Sequence, residues 1–121
     1  MTHVVVQLIK LQEQIRILHW QTKAYSRHVA YGAAYDDLGE LLDTLVETYQ
    51  GKYGRLVFQQ NTFDIIDIDN VKISELIDMT IDTLQIELPS LLNSTKDTDL
   101  LNIRDEIVGH LNKFKYVLTL K

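Results

Sequence analysis

The chain has no cysteine, one proline, one tryptophan and only five glycines in 121 residues. Without cysteine, disulfides, thiolate metal sites and cysteine nucleophiles are excluded. So little proline and glycine, and no low-complexity run, leave scant room for linkers or disorder. No repeat recurs at solenoid-like periods. A basic tail is also missing: 12 Lys and Arg stand against 17 Asp and Glu, a formal net charge of −5. With no basic patch to neutralise phosphates, nucleic acid is disfavoured as a partner. The N-terminal MTHVVVQLIKLQEQIR lacks a basic n-region, and Gln7 and Lys10 interrupt it before a signal-like or membrane-spanning run develops. The expectation is a cytoplasmic chain with no membrane partner, in the host cytoplasm or the virion if a phage encodes it.

What remains is 45% hydrophobic and 24% charged, a balance suited to one domain over residues 1–121 with a proper core. Residues 4–24 carry a helical period, with Leu8, Leu11, Ile15, Leu18 and Thr22 at three- and four-residue steps. At 100° per residue His19 falls about 40° from Ile15 and about 20° from Leu8, on the apolar stripe. A second helix starts with Ser26 as N-cap and runs to about Tyr53, where Gly51 and Gly54 offer stops. Its stripe is Tyr31, Tyr35, Leu38, Leu42, Leu45 and Tyr49, flanked by the acidic row Asp36, Glu40, Asp43 and Glu47. Residues 55–73 break the period. Their DIDN lacks the third acid, the central glycine and the closing glutamate of a calcium loop. A third helix begins at Ser74 with Ile77, Ile81, Leu84, Leu88 and Leu91 on one face, and Pro89 either kinks it or marks its last turns. After a turn at 93–99, capped by Asp97 or Thr98, a fourth helix covers about 98–119 with Leu100, Ile103, Ile107, Leu111, Phe114 and Leu118. The fold class is therefore all-α: a four-helix bundle with a long connection between helices 2 and 3.

Chemistry concentrates between His19 and Glu47. Two histidines, His19 and His28, and two carboxylates one turn apart, Asp43 and Glu47, form an iron or zinc donor set. His28 and Asp43 lie 15 residues apart on one helix, roughly 22 Å along its axis, so no ion bridges them within a chain. Two antiparallel copies of the helix would bring them together across a twofold axis near Tyr35 and Asp36. Gly32 and Gly39 share that midpoint. A mid-helix glycine costs about 1 kcal/mol against alanine, which a close approach of two backbones would repay. These four residues are the expected dimer interface. The plain readings are a hydrogen-bonded core histidine at 19, a surface histidine at 28, a solvated acidic face, and Trp20 as interior packing. His3 and His110 have no evident partner.

The run of His-Trp, a second histidine and then D-x-x-x-E fifteen residues on resembles the Dps miniferritins of the ferritin-like superfamily, as do DIDNVKISEL (67–76) and LNKFKYVL (111–118) more weakly. The resemblance covers roughly 15–120. It implies a ferritin-like bundle, a homo-oligomer (a dimer at least, in the family a dodecamer), and iron as the cofactor. By position His19, His28, Asp43 and Glu47 match the ferroxidase ligands. Trp20 beside them is a candidate electron donor, and Asp97 with Asp99 a candidate acidic pore lining. The chain departs from the family in having nine residues from His19 to His28 where about twelve are common, in Gly32 where a further carboxylate is usual, and in lacking a basic DNA-binding extension. A short form of the pattern also resembles uncharacterised proteins of tailed phages. The alternative is thus a non-catalytic oligomeric bundle, a phage structural or accessory protein without the iron chemistry.

Overall fold

The leucine and isoleucine stripes become one continuous core. Leu8, Leu11 and Ile15 meet Leu38, Leu45, Ile73, Ile77, Leu84, Leu88, Leu100, Ile107 and Leu111, all fully buried. The computed structural model describes residues 1–60 and 62–120, and of Asn70 and Val71 the backbone alone. Four helices carry the core among the described residues: α1 (Thr2–Gln21), α2 (Tyr25–Tyr53), α3 (Asn70–Asp82) and α4 (Thr98–Val117). A π-helical turn, Thr83–Glu87, and a short stretch, Leu88–Ser90, prolong α3.

Side-chain contacts fix the directions. His19 meets His28 and Gln12 reaches the Tyr35 carbonyl, so α1 and α2 are antiparallel. Tyr53 bonds Asp97 while His110 bonds the Ala34 carbonyl, so α2 and α4 are antiparallel. Asp78 pairs with Lys115 and the Leu84 carbonyl with Arg104, which sets α3 against α4. Hence α1 and α4 run one way, α2 and α3 the other, and the α2–α3 link must travel the length of the bundle.

The described residues of that crossover, 54–60 and 62–69, pass beside α1, with Val57 and Gln59 near Thr2 and His3, and Asp64 and Ile66 near Lys10 and Gln14. Gln14, only 2% exposed, holds it by donating to the Ile66 carbonyl and accepting from the Ile66 N–H, both at 2.9 Å. The amide side chain stands in for a neighbouring strand. The expected break in helical period over 55–73 is met up to Asp69, with Asn61 outside the described residues.

Several boundaries differ from the sequence reading. α2 begins at Tyr25 after Ala24, with no side-chain cap, so Ser26 is not the N-cap. α3 begins at Asn70 and not Ser74, because the Asp69 carboxylate accepts the Lys72 N–H at 3.0 Å. Leu91 is half exposed, not core. Gly54 ends α2 as expected, at φ 88°.

Pro89 marks the last turn, as expected: the helical run ends at Ser90, and a π turn precedes it. The Leu88 N–H reaches back five residues to the Thr83 carbonyl. In that register the next donor would be the nitrogen of Pro89, which carries no hydrogen. Arg104 Nη1 supplies the missing bond to the buried Leu84 carbonyl at 3.1 Å. Arg104→Met should therefore cost about 1–2 kcal/mol in urea unfolding, the penalty for a buried carbonyl left without a donor. An unchanged midpoint would refute this account of the turn.

Candidate functional site

The three residues between α1 and α2 are too few to separate the helix ends, so the last turn of α1 faces the first turn of α2. His19 and His28 meet there in a reciprocal clasp. Nδ1 of His19 lies 2.7 Å from the His28 carbonyl oxygen, and Nδ1 of His28 lies 2.8 Å from the His19 carbonyl oxygen. A carbonyl can only accept, so each Nδ1 carries the hydrogen and each Nε2 of the neutral ring keeps a free lone pair. The Thr22 N–H takes the Leu18 carbonyl, and the His19 carbonyl is the next in the last turn of α1, so the ring of His28 also caps that helix.

The rings stack at 3.8 Å between centroids and 16° between planes. Tyr25 continues the stack beyond His28 at 6.4 Å, and the edge-on Tyr35 ring closes on His19 at 5.3 Å. Arg16 caps the column, 4.5 Å above the Tyr35 ring.

Gly32 makes the column possible. A Cβ there would sit 3.0 Å from Cε1 and 3.2 Å from Nδ1 of His19. At Gly39 a Cβ would lie 2.6 Å from Nε2 of Gln12, the atom that donates to the Tyr35 carbonyl. Both glycines do mark close approaches, but each is explained inside one chain by a side chain of α1. Their placement carries no argument for a second copy.

The other candidates are spread out. Asp43 and Glu47 are exposed and make no hydrogen bond or ion pair among the described residues; the same holds for Asp36. Among the described residues no three ligand-type side chains cluster tightly enough to hold a metal within one chain. The clasp also bears on His19 as a ligand. Rings so nearly parallel share no nearby point in both planes, whereas an imidazole binds a metal in its own plane, about 2.0–2.1 Å from nitrogen for zinc. As stacked, the pair offers one ion one lone pair, and His28 is the exposed member. Trp20 is 64% exposed, so the interior-packing reading is corrected: it sits in the final turn of α1, where the chain already leaves the core.

Asp97 and Asp99, read as a pore lining, form part of a latch within the chain. Asp97 is 1% exposed and accepts from the Tyr53 hydroxyl, from the Asn93 N–H at 2.7 Å and from Lys52 at 2.9 Å. Lys52 also bonds Asp99 at 2.9 Å and the Lys96 carbonyl at 2.5 Å. Asp97 occupies the N-cap position of α4 yet spends its side chain backwards on the turn and on α2. The Tyr53 hydroxyl, the Asn93 amide and the Lys52 ammonium pull its pKa from 3.8 to about 2. Lys52 also lowers that of Asp99, while the two carboxylates raise that of Lys52. Since the folded pKa of Asp97 is depressed, its contribution to stability is complete above about 3.8 and is lost as pH falls towards about 2. Thermal melts should show stability declining across that window, with the decline reduced in Asp97→Asn. Equal slopes in the two proteins would contradict the latch. Sequence reasoning missed Lys52 and Tyr53, whose only local sign is a charged-aromatic pair between two glycines at the end of a helix.

Taken together, fold and clasp define an all-α, four-helix protein with a histidine pair fastening its first hairpin. The chain belongs to the family described as "Family of unknown function (DUF5856)", whose model matches residues 19–118, from the first clasp histidine to the core leucine that follows α4. It is also similar to the "Uncharacterized 14.6 kDa protein in mobD-ri intergenic region" of Enterobacteria phage T4. Identity is 29% over 119 residues, covering 94% of this chain and 84% of that protein. No solved structure matches. Among the described residues no helix is long and apolar enough to cross a membrane.

Proposed function

We propose that the chain is a ferritin-like bundle of phage type that self-associates through α2 and binds iron between copies, with ferroxidase activity toward Fe(II). The observation that carries the reading is the anchoring of both Nδ1–H groups on backbone carbonyls, the arrangement that orients metal-ligating histidines and frees Nε2. Support for the ferritin-like part comes from the helix directions, with one long crossover joining two parallel neighbours in the chain. His28 of one chain and Asp43 with Glu47 of another would hold the ion, and His19 serves as the positioning group stacked behind His28. Iron held in such an open site with two carboxylates would supply electrons to oxygen or peroxide. Of the chain's own residues, His28 binds through Nε2, the carboxylates neutralise charge, and Gly32 keeps room for the ring that steadies His28.

Charge placement suits the pairing. Lys23, just before α2, and Arg27 in its first turn stand at one end, while Asp36, Asp37, Glu40, Asp43 and Glu47 follow along the helix. Antiparallel helices would set opposite signs against each other. Native mass spectrometry with iron analysis should give a dimer or larger closed assembly carrying about one iron per chain. A monomer at micromolar concentration would overturn the reading.

The second reading is a non-catalytic oligomeric bundle, and one observation favours it. The clasp uses both Nδ1 atoms, both ring faces and the space above Gly32 internally, so it is complete as a fastener without any metal. Assembly unchanged by chelators, with no iron retained, would select it.

A further inference from the structure

α4 carries a glycine that no neighbour within the chain explains. Gly32 and Gly39 make room for side chains of α1, and Gly51 and Gly54 stand at the end of α2. Gly109 lies inside α4 and is exposed, and a Cβ there would meet nothing within 4 Å among the described residues. Glycine in a helix interior is disfavoured against alanine, so open space is no reason to keep it. A close backbone approach from outside the chain is such a reason.

The residues around Gly109 define what approaches. At 100° per residue, Asn102, Asp105, Glu106, Asn112, Lys113 and Tyr116 all fall within about 60° of it on the helix, and all are exposed. We propose that this face binds the same face of a second copy, with the two α4 helices antiparallel and a twofold axis at Gly109. Such pairing sets Glu106 against Lys113 of the second copy on one flank, and symmetry repeats the pair. On the other flank Asp105, which already has Arg104 at 2.7 Å, meets the neutral Asn112 of the second copy. Asn102 meets Tyr116 of the second copy along the seam, and Tyr116, 64% exposed, covers apolar area at each end. Parallel helices would instead oppose Glu106 to Glu106 and Lys113 to Lys113, so charge selects the antiparallel arrangement. His110 bonds the Ala34 carbonyl of α2, whereas the clasp and α1 lie against the other flank of that helix. The contact therefore uses none of the proposed iron ligands. Added to a pairing through α2, it would extend the assembly beyond a dimer.

The chain lacks cysteine, so an introduced thiol has only its own copy to bond. Gly109→Cys in the intact chain should close into a disulfide dimer under mild oxidation at micromolar protein, read on a non-reducing denaturing gel. The axis brings the two Cα atoms within the span a disulfide bridges, about 4.4–6.8 Å. Thr98→Cys, also exposed on α4, should crosslink at least tenfold more slowly. Its counterpart lies roughly 33 Å away along the antiparallel pair at 1.5 Å per residue. In low salt, adding either Glu106→Lys or Lys113→Glu to Gly109→Cys should slow crosslinking at least fivefold, because like charges then meet twice. Both changes together should restore the rate, which damage to the fold would not do; circular dichroism checks that helicity is kept. Equal rates for Gly109→Cys and Thr98→Cys, or a doubly reversed variant as slow as the single ones, would overturn the contact. Iron retention is read separately: its absence counts against the α2 site alone, and slow crosslinking against the α4 contact alone.

Discussion

An equimolar mixture of His28→Ala and Glu47→Ala proteins, each inert alone toward aerobic Fe(II), is expected to recover about one quarter of the wild-type oxidation rate after subunit exchange. The figure follows from where the ligands sit. A site made of His28 from one chain and Asp43 with Glu47 from the other loses one ligand in either pure variant. In a mixed dimer one site loses both, while the other takes His28 from the Glu47→Ala chain and Glu47 from the His28→Ala chain, and is whole. Half of randomly exchanged dimers are mixed, and each holds one intact site of two. Stopped-flow absorbance of Fe(III) formation reads this directly. A mixture as inert as its components would show that the residues act within a chain or not at all. Undiminished rates in the pure variants would remove them from the chemistry altogether.

The second large effect concerns the clasp itself. Gly32→Leu should destabilise the fold by about 3 kcal/mol, because the new side chain must expel the His19 ring and with it the Nδ1 hydrogen bond to the His28 carbonyl and the stack on the His28 ring. Removing a helix glycine returns about 1 kcal/mol, which is already included in that net figure. The diagnostic is a cycle. In a His19→Ala background the ring is gone, so the same Gly32→Leu change should become neutral or mildly stabilising. Urea unfolding monitored by circular dichroism measures all four corners. An equal penalty with and without the ring would mean that Gly32 is there for another reason.

Much of the helical architecture was legible because leucine spacing is a local signal. The stripes from Leu8 to Leu18, Tyr31 to Leu45, Ile77 to Leu88 and Leu100 to Leu118 contain most of the core. The start of α3 was misread because Asp69 sits in a run of alternating acids and isoleucines, where a cap looks like any other loop acid. The site was legible in part. Paired histidines and mid-helix glycines announced a close approach, but sequence spacing could not say whether the approaching surface was another copy or the preceding helix. The structure answers with Gln12 and His19 of α1. Asp97 was opaque for a different reason. Its partners Tyr53 and Lys52 are 44 and 45 residues away, so a buried latch and an exposed helix-cap acid have the same local sequence.

The crossover pinned by Gln14 has a consequence for how this chain could be divided. It joins two helical hairpins, α1–α2 and α3–α4, each of which folds back on itself and then packs against the other across the shared core. A cut after the exposed Phe58 severs no helix and removes no core residue. The two pieces therefore possess complementary apolar faces, and the Gln14–Ile66 pair becomes a bond between separate polypeptides. The chain is in that sense a fused heterodimer of hairpins, and the crossover is the tether that sets the concentration at which they meet.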